Sequence, residues 1–481
     1  MDAVLKNIGI IEDATIKLDG LTVITGYNNT GKSSIGKALY SLISAVEDLQ
    51  QVNLLEKTNY ALRELRMLID SLELFRYNYG SIKYDNSRIG RVFEFLYRST
   101  RMVGSVHFED LDELITFVKE VDQAVSELSL EMFDELFPTE SAVLKRSRKA
   151  RFSDNLEKKE SIRQGIQIVL QNIDADRDLQ LYANKRIEKT LQTVFHGQIA
   201  PQKFKGKKLK SSIKLTEHQK VFFDVPLENN SIATGKETYH SSWLQEVVLV
   251  DDAYVLDNLT PRRNPRLNSR IIYGGYHSED FLDMIDIDTP EQSLMYKLTR
   301  GSSSVFDSIV QEKNADAIFE LISQAFSQTL IYHEGSYITG EEKLDVKNLA
   351  TGTKVFAILK TLIQKGHISK DTFLILDEPE AHLHPDWQNL FAEIIVLLVK
   401  EIGVTVLLTT HSANFMLALE TMMRKYQIET KSNFYINRKK ENGYMTSVEC
   451  VNDCIDEIYT ELVRPYAEMF ELRRKISEPK E

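Results

Sequence analysis

A chain of 481 residues is long enough for two or more folding units, each with a sizeable core. Its 42% hydrophobic and 27% charged residues are those of a water-soluble globular protein, and no apolar run nears the ~20 residues that cross a bilayer, so no membrane partner is expected. The net charge of −12 and pI near 5.5 exclude a protein that coats nucleic acid by bulk charge. Cys450 and Cys454 are the two cysteines and have no histidine beside them in sequence. A metal site between them is disfavoured, and a reduced, cytoplasmic chain is expected. The opening MDAVLKNIGIIEDATIKL carries acids and alternates too early for a secretory signal.

Residues 4–19 alternate as two short strands around a turn and lead into a buried strand at Leu21, Val23 and Ile24. That strand enters Gly26-Tyr27-Asn28-Asn29-Thr30-Gly31-Lys32-Ser33, which fits the phosphate-binding pattern GxxxxGK[ST] without a mismatch. Glycines at 26 and 31 let successive N–H groups turn toward one phosphate chain. Lys32 reaches the β- and γ-phosphates, and the Ser33 hydroxyl ligates Mg²⁺. Ile35, Ala38, Leu39, Leu42, Ile43 and Val46 then recur at helical spacing, so a helix N-terminus faces the phosphates. Strand, loop and helix in this order make a nucleotide-binding chain.

Between Asp48 and Ala200 the apolar residues fall at spacings of three and four, as in Leu111, Leu114, Ile115, Val118, Val121, Val125, Leu128 and Met132, or Ile162, Ile166, Val169 and Ile173. This predicts an insertion of several amphipathic helices, with breaks at Tyr79 to Gly90 and Pro138 to Phe152. No a/d heptad persists for three or four turns, which disfavours a long coiled coil. From Lys203 the strand pattern returns in VFFDVPLENN, EVVLVDDAYVLD and TLIYHEGSYI, and residues 278–301 and 302–326 read as mostly helical. The last third alternates strand and helix: FLILD, a helix from Asp386 to Lys400, VTVLLTT, and a helix from Ala413 to Tyr426. Such alternation predicts a parallel sheet, the one to which the phosphate loop belongs. Three basic clusters (Lys145 to Arg151, Lys203 to Lys214, and Arg262-Arg263 with Arg266) read either as solvated loops or as a groove for nucleic acid or an acidic partner. The first is the densest.

Phe373-Leu374-Ile375-Leu376 is an apolar strand that ends in Asp377, followed at once by Glu378. An Asp there holds Mg²⁺ together with Ser33, and a Glu beside it polarises the attacking water. Val247-Val248-Leu249-Val250 also ends in acids, Asp251-Asp252, but these read as turn or helix-capping residues. Upstream lies Asn348-Leu349-Ala350-Thr351-Gly352-Thr353-Lys354 before a helix; downstream lie Glu380-Ala381-His382-Leu383-His384-Pro385 and the strand that ends in His411-Ser412.

This set resembles the ABC-type ATPase head in the branch of RecF, the SMC proteins and the OLD-family ATPases, with LILDEPEAHLHP and TTHS as its most specific parts. The resemblance implies an α/β fold: an ABC-type P-loop ATPase head (a mixed sheet with flanking helices) plus an inserted α-helical domain. The domains expected are residues 1–48 and 203–440 for the head, 49–202 for the insertion, and 441–481 for a C-terminal hairpin and helix. By the same resemblance Gly26, Asn29, Gly31, Lys32, Ser33 and Ser34 match the Walker A loop, Asp377 the Walker B aspartate and Glu378 the catalytic glutamate. Glu380 to Pro385 match the D-loop, and His411 matches the switch histidine that senses the γ-phosphate. Leu349 to Lys354 match the signature motif but depart from it at Ala350 and Thr353, which leaves Thr351, beside Gly352, to supply the hydroxyl. Gln219 and Gln245 both stand open as the Q-loop glutamine. Glu380, His382 and His384 read either as D-loop residues or as a metal site, the former being simpler because Zn needs three or four ligands in a set geometry.

The resemblance further implies ATP and Mg²⁺ as cofactors, ATP hydrolysis, and a head-to-head homodimer in which the signature motif of one copy completes the other's site, within the dimer or a larger homo-oligomer. Gly352 lies 326 positions after Gly26, too far apart for a transporter-type head. The wording NLATGTK, LILDEPEAHLHPDWQ and LLTTHSANF is most similar to the ATPase subunits of the PARIS and Septu anti-phage systems. A sensor or regulatory ATPase is therefore expected, controlling a separate effector chain such as a nuclease. The 70 residues after His411 read as a hairpin and a helix rather than a nuclease domain. The alternative is a RecF/SMC-like DNA-repair ATPase that acts on DNA, with the cluster from Lys145 to Arg151 as its contact.

Overall fold

The computed structural model describes residues 1–47, 49–70, 108, 110–127, 129, 148–174, 179–201, 210–228, 230–233, 238–240, 246–259, 288–300, 315–333, 336–340, 343–440 and 443–477. In chain order the elements are β1 (Asp2–Ile8), β2 (Ile11–Lys17), β3 (Leu21–Thr25), α1 (Lys32–Val46), α2 (Leu49–Asp70), α3 (Leu111–Glu127), α4 (Arg148–Asp174), α5 (Leu179–Val194), β4 (Ser211–Glu217), β5 (Lys220–Glu228), β6 (Ser231–Ile232) and β7 (Glu246–Val250). A 3₁₀ turn at Ala253–Asn258 follows. Then come α6 (Pro290–Thr299), α7 (Asp316–Ala325), β8 (Leu330–His333), β9 (Ser336–Thr339), α8 (Thr351–Gln364), β10 (Thr372–Asp377), α9 (Pro385–Leu397), β11 (Thr405–Thr410), α10 (Ala413–Tyr426), β12 (Ser432–Lys439), β13 (Thr446–Cys450) and α11 (Asp456–Ser477).

These elements fall into two compact units: residues 1–47, 180–266 and 286–481, and residues 48–179 with 267–285. Most of α5, read from sequence as the end of the insertion, lies in the first unit. That unit is mixed α/β, as expected. Its sheet has eleven strands in the order β6-β5-β4-β1-β2-β13-β12-β3-β11-β10-β7. β7, β10, β11, β3 and β12 run parallel, and the strands from β2 to β6 form an antiparallel meander around β1. β3, β10 and β11 are apolar and β-branched almost throughout and buried along their length, the mark of parallel strands covered on both faces. Helices α8 and α9 cover this part with Phe356, Phe391 and their aliphatic neighbours, the two rings meeting edge to face at 5.3 Å.

Local chemistry sets the ends of the elements. Thr289 and Gln292 form a capping box ahead of α6, with Pro290 in its first turn. Ser412 caps α10 through the Phe415 N–H, and His384 caps α9 before Pro385. Two strand expectations needed correction. β7 stops at Val250, because the Asp252 side chain accepts the Tyr254 N–H and turns the chain into the 3₁₀ segment. The C-terminal hairpin is not an appendage: β13 pairs with β2 and β12 with β3, which puts it in the middle of the sheet.

The second unit contains α2, α3 and α4, packed around Ala61, Leu65, Leu114, Val118, Val121, Ile162 and Ile166. Both amphipathic series read from the sequence bury their apolar face here, as far as they are described. Asp122 on α3 pairs with Arg163 on α4 at 3.2 Å. Leu128, Met132, the break from Tyr79 to Gly90, Gln245, Arg262, Arg263 and Arg266 lie outside the described residues, as do residues 145–147 and 203–209 of the other two basic clusters. Among the described residues no helix is long and apolar enough to cross a membrane.

A buried charge network joins α1, β7 and α6. Lys297 Nζ donates to Glu47 and Glu246, each at 2.7 Å, and His367 links Glu246 to the Arg300 carbonyl. Burial alone would raise the Glu246 carboxyl, but the Lys297 ammonium and His367 outweigh it and bring it down to about 2. Against the burial that would lower it, the two carboxylates hold Lys297 above the usual lysine range. The Glu246 contribution to stability is therefore present above the ordinary carboxyl value near ~4.3 and is lost as pH falls through about 2. Lys297→Met removes the cation between two buried carboxylates, and chemical denaturation at neutral pH is expected to show a loss of about 3–5 kcal/mol.

Candidate functional site

The phosphate loop is shaped by what lies beneath it. Gly26 has φ +143, and a Cβ there would stand 2.7 Å from the Asn437 carbonyl oxygen of β12. Gly31, with φ +90, leans on Ile10 and Ile11 in the same way. The Thr30 carbonyl accepts from Asn437 Nδ2 at 2.8 Å and from the Thr446 hydroxyl at 2.9 Å, and the Thr30 hydroxyl donates to the Tyr27 carbonyl. These contacts take up carbonyls on the sheet side of the loop. Lys32 is buried and lies back in the loop, donating to the Gly26 and Tyr27 carbonyls at 2.9 and 3.0 Å, with Glu378 Oε1 at 3.3 Å.

Parallel pairing of β10 with β11 sets the acidic side. Asp377 sits opposite Thr409, whose hydroxyl donates to its carboxylate at 2.5 Å. Glu378 has φ +48, a left-handed conformation that is uncommon for a side chain of this kind. Its N–H donates to both the carbonyl and the hydroxyl oxygen of Thr409, which hold it there. The turn aims the Glu378 carboxylate between the Lys32 ammonium and His411 Nδ1, the latter at 3.2 Å. Next to it, Glu380 accepts the Thr410 hydroxyl with one oxygen, while the other is buried without a hydrogen-bond partner. Burial pushes this carboxyl up, against the Thr410 hydroxyl, which favours its charged form.

A cavity of about 500 Å³ opens over these groups. Asn29, Gly31, Lys32, Ser33, Ser34, Thr351, Gly352, Asp377 and Glu378 all line it; Gly26 lies behind the loop, and His411 reaches it through Glu378. Thr351 and Gly352 thus share a wall with the phosphate loop of their own chain. Gly352 brings α8 close to the His382 carbonyl, where a Cβ would stand at 2.9 Å, and the Thr351 hydroxyl donates to Tyr254 Oη at 3.2 Å. Asp251 stands in the bend after β7, as read, and also lines the cavity; its carboxyl is raised by burial and by nearby Asp377 against the pull of Lys37. Gln219 sits in the β4–β5 turn with φ +66 and does not line the cavity. His384 caps α9, and among the described residues no group of three or more His, Cys, Asp or Glu side chains is placed to hold a metal.

Sequence reasoning missed Tyr27. Its hydroxyl donates to the Glu461 carbonyl at 3.1 Å, a group left without its helical partner because Pro465, four residues on, has no N–H. The Arg464 guanidinium lies over the Tyr27 ring, and Arg438 grips Glu449, Glu457 and Glu461. The second residue of the phosphate loop is thereby tied to α11. The signal available in sequence was a proline inside a helix, which marks an open carbonyl but not its partner.

The profile of the family described as "AAA ATPase domain" matches residues 4–416. No curated protein matches the chain. Solved structures similar to it include the SMC head domain from Thermotoga maritima, at 12% identity and a TM-score of 0.31, covering 94% of this chain and 98% of that one. The Smc head domain with a coiled coil and joint from Pyrococcus yayanosii gives 12%, 0.34, 97% and 99%. An SmcHead bound to the C-winged helix domain of ScpA gives 13%, 0.36, 93% and 96%. Gly26→Ala drives a Cβ into the Asn437 carbonyl, so titration with a fluorescent ATP analogue is expected to show affinity reduced by more than about tenfold in a chain that still folds.

Proposed function

This chain belongs to the AAA ATPase domain family, and from that premise we propose that it is an ATP-hydrolysing switch of the ABC-type head class. The observation that carries the proposal is the Glu378 carboxylate poised between the Lys32 ammonium and His411 at the rim of the cavity. On ATP binding, Lys32 leaves Glu378 for the β- and γ-phosphates, and the loop N–H groups with the N-terminus of α1 take the remaining charge. The freed Glu378 carboxylate accepts a proton from the attacking water as its oxygen bonds the γ-phosphorus and the bond to ADP breaks. His411 holds Glu378 and contacts the γ-phosphate. Ser33 and Asp377 offer the hard oxygen donors that suit Mg²⁺, which when bound would neutralise charge on the phosphates.

Two heads close around ATP in this reading, each with Thr351 and Gly352 beside its own phosphate loop, and hydrolysis releases them. The wording NLATGTK, LILDEPEAHLHPDWQ and LLTTHSANF supports a role as the sensor or regulatory ATPase of an anti-phage system that controls a separate effector chain. Glu378→Gln keeps the shape but removes the base: ATP binding is expected to persist while turnover falls by about 10²–10⁴-fold in a phosphate-release assay. Normal turnover in that variant would refute the mechanism. Lys32→Ala is expected to lose nucleotide binding. A tagged Glu378→Gln chain, expressed with its native neighbouring genes, is expected to retain a stoichiometric effector identifiable by mass spectrometry. Recovery of DNA alone would move the reading to a repair ATPase.

A further inference from the structure

The C-terminal helix α11 follows a heptad rhythm. Tyr459, Leu462, Tyr466, Met469, Arg473 and Ile476 succeed one another at alternating steps of three and four. The inner part of this seam is covered, since Tyr459 and Leu462 pack on the main core beside buried Ile458. Its outer part is open: Tyr466, Met469 and Ile476 in the seam are 65, 58 and 75% exposed, and Val463, Phe470 and Leu472 on its two flanks are 43, 67 and 48% exposed. Six large apolar side chains along fourteen residues of one helix form a patch rather than a scatter.

We propose that the outer half of α11 pairs, antiparallel, with the same helix of a second copy of this chain. The exposed apolar surface is of the right size, since the six side chains leave roughly 700 Å² open against the ~800 Å² per partner of a standard interface. The one charge within the seam fixes the direction. Arg473 lies a heptad beyond Tyr466 on the same face. In an antiparallel pair centred between Met469 and Phe470, the Arg473 guanidinium of each copy lies over the Tyr466 ring of the other, a cation–π contact made twice. A parallel pair would set Arg473 against Arg473 and align the two helix dipoles. Glu468 and Glu471 fall on the opposite side of the helix, clear of the seam. The base of this helix is the part tied to Tyr27, so the pair would join two phosphate loops through one continuous element without needing nucleotide.

The test uses the full chain carrying Lys32→Ala, without nucleotide, so that closure of heads around ATP cannot contribute. Sedimentation velocity at micromolar concentrations is expected to show a dimer. Tyr466→Ser with Phe470→Ser should weaken it by at least about tenfold while leaving the thermal melt unchanged. In a Cys450→Ser/Cys454→Ser background, Met469→Cys should form a disulfide-linked dimer on mild oxidation and Ile476→Cys should not. A monomer at every concentration, or a dimer indifferent to the double serine variant, overturns the proposal. Self-crosslinking through Ile476→Cys as readily as through Met469→Cys overturns the antiparallel pairing.

Discussion

A loop that binds phosphate through its backbone must keep its N–H groups facing outward, so its carbonyls need partners on the other side. Here that support comes from the far end of the chain. Asn437 and Thr446 hold the Thr30 carbonyl, and the Asn437 backbone approaches Gly26 so closely that no Cβ fits. The hairpin β12–β13 is thus a structural floor for a loop more than 400 residues earlier in sequence, and its place between β2 and β3 joins the antiparallel and parallel parts of the sheet.

Around that floor the charges are arranged as a set of exchangeable contacts. Lys32 and His411 both contact the Glu378 carboxylate, and the proposed switch would turn them toward a γ-phosphate. The left-handed backbone at Glu378 is held by Thr409, whose hydroxyl also serves Asp377, so one threonine orients both acids. Away from the cavity, Lys297 with Glu47 and Glu246 is a network of a different kind. It is fully paired and buried, and it locks the end of α1 to β7. The first set is built to move and the second to stay.

Much of this was legible in the residues. GYNNTGKS between a buried strand and an amphipathic helix, and FLILDE at the end of an apolar strand, announce the two halves of the cavity because each motif is local and its spacing is dictated by backbone geometry. The amphipathic series of α3 and α4 predicted which side chains the helical unit buries. Other features were hidden. The run EVVLVDDAYVLD has the β-propensity of a single strand, yet one carboxylate–backbone bond at Asp252 ends it early and leaves Asp251 at the cavity wall. Gln219 had the right residue type for a phosphate sensor but sits in a tight hairpin turn. Propensity describes a residue's preference, not its neighbours.

What the sequence determined by itself is the chemistry: a phosphate loop, a Walker-type acid pair, and a histidine after the parallel strand β11. These depend on residues a few positions apart, and hydrogen-bond and side-chain geometry then leave little freedom. The tertiary structure alone decided how distant pieces complete one another. It put a C-terminal hairpin under the phosphate loop and brought Thr351 and Gly352 to the same cavity. It also gave the open carbonyl of Glu461 to Tyr27. Such pairings follow from strand order and from where each helix finds cover for its apolar face, and those are properties of the whole packed chain rather than of any one stretch.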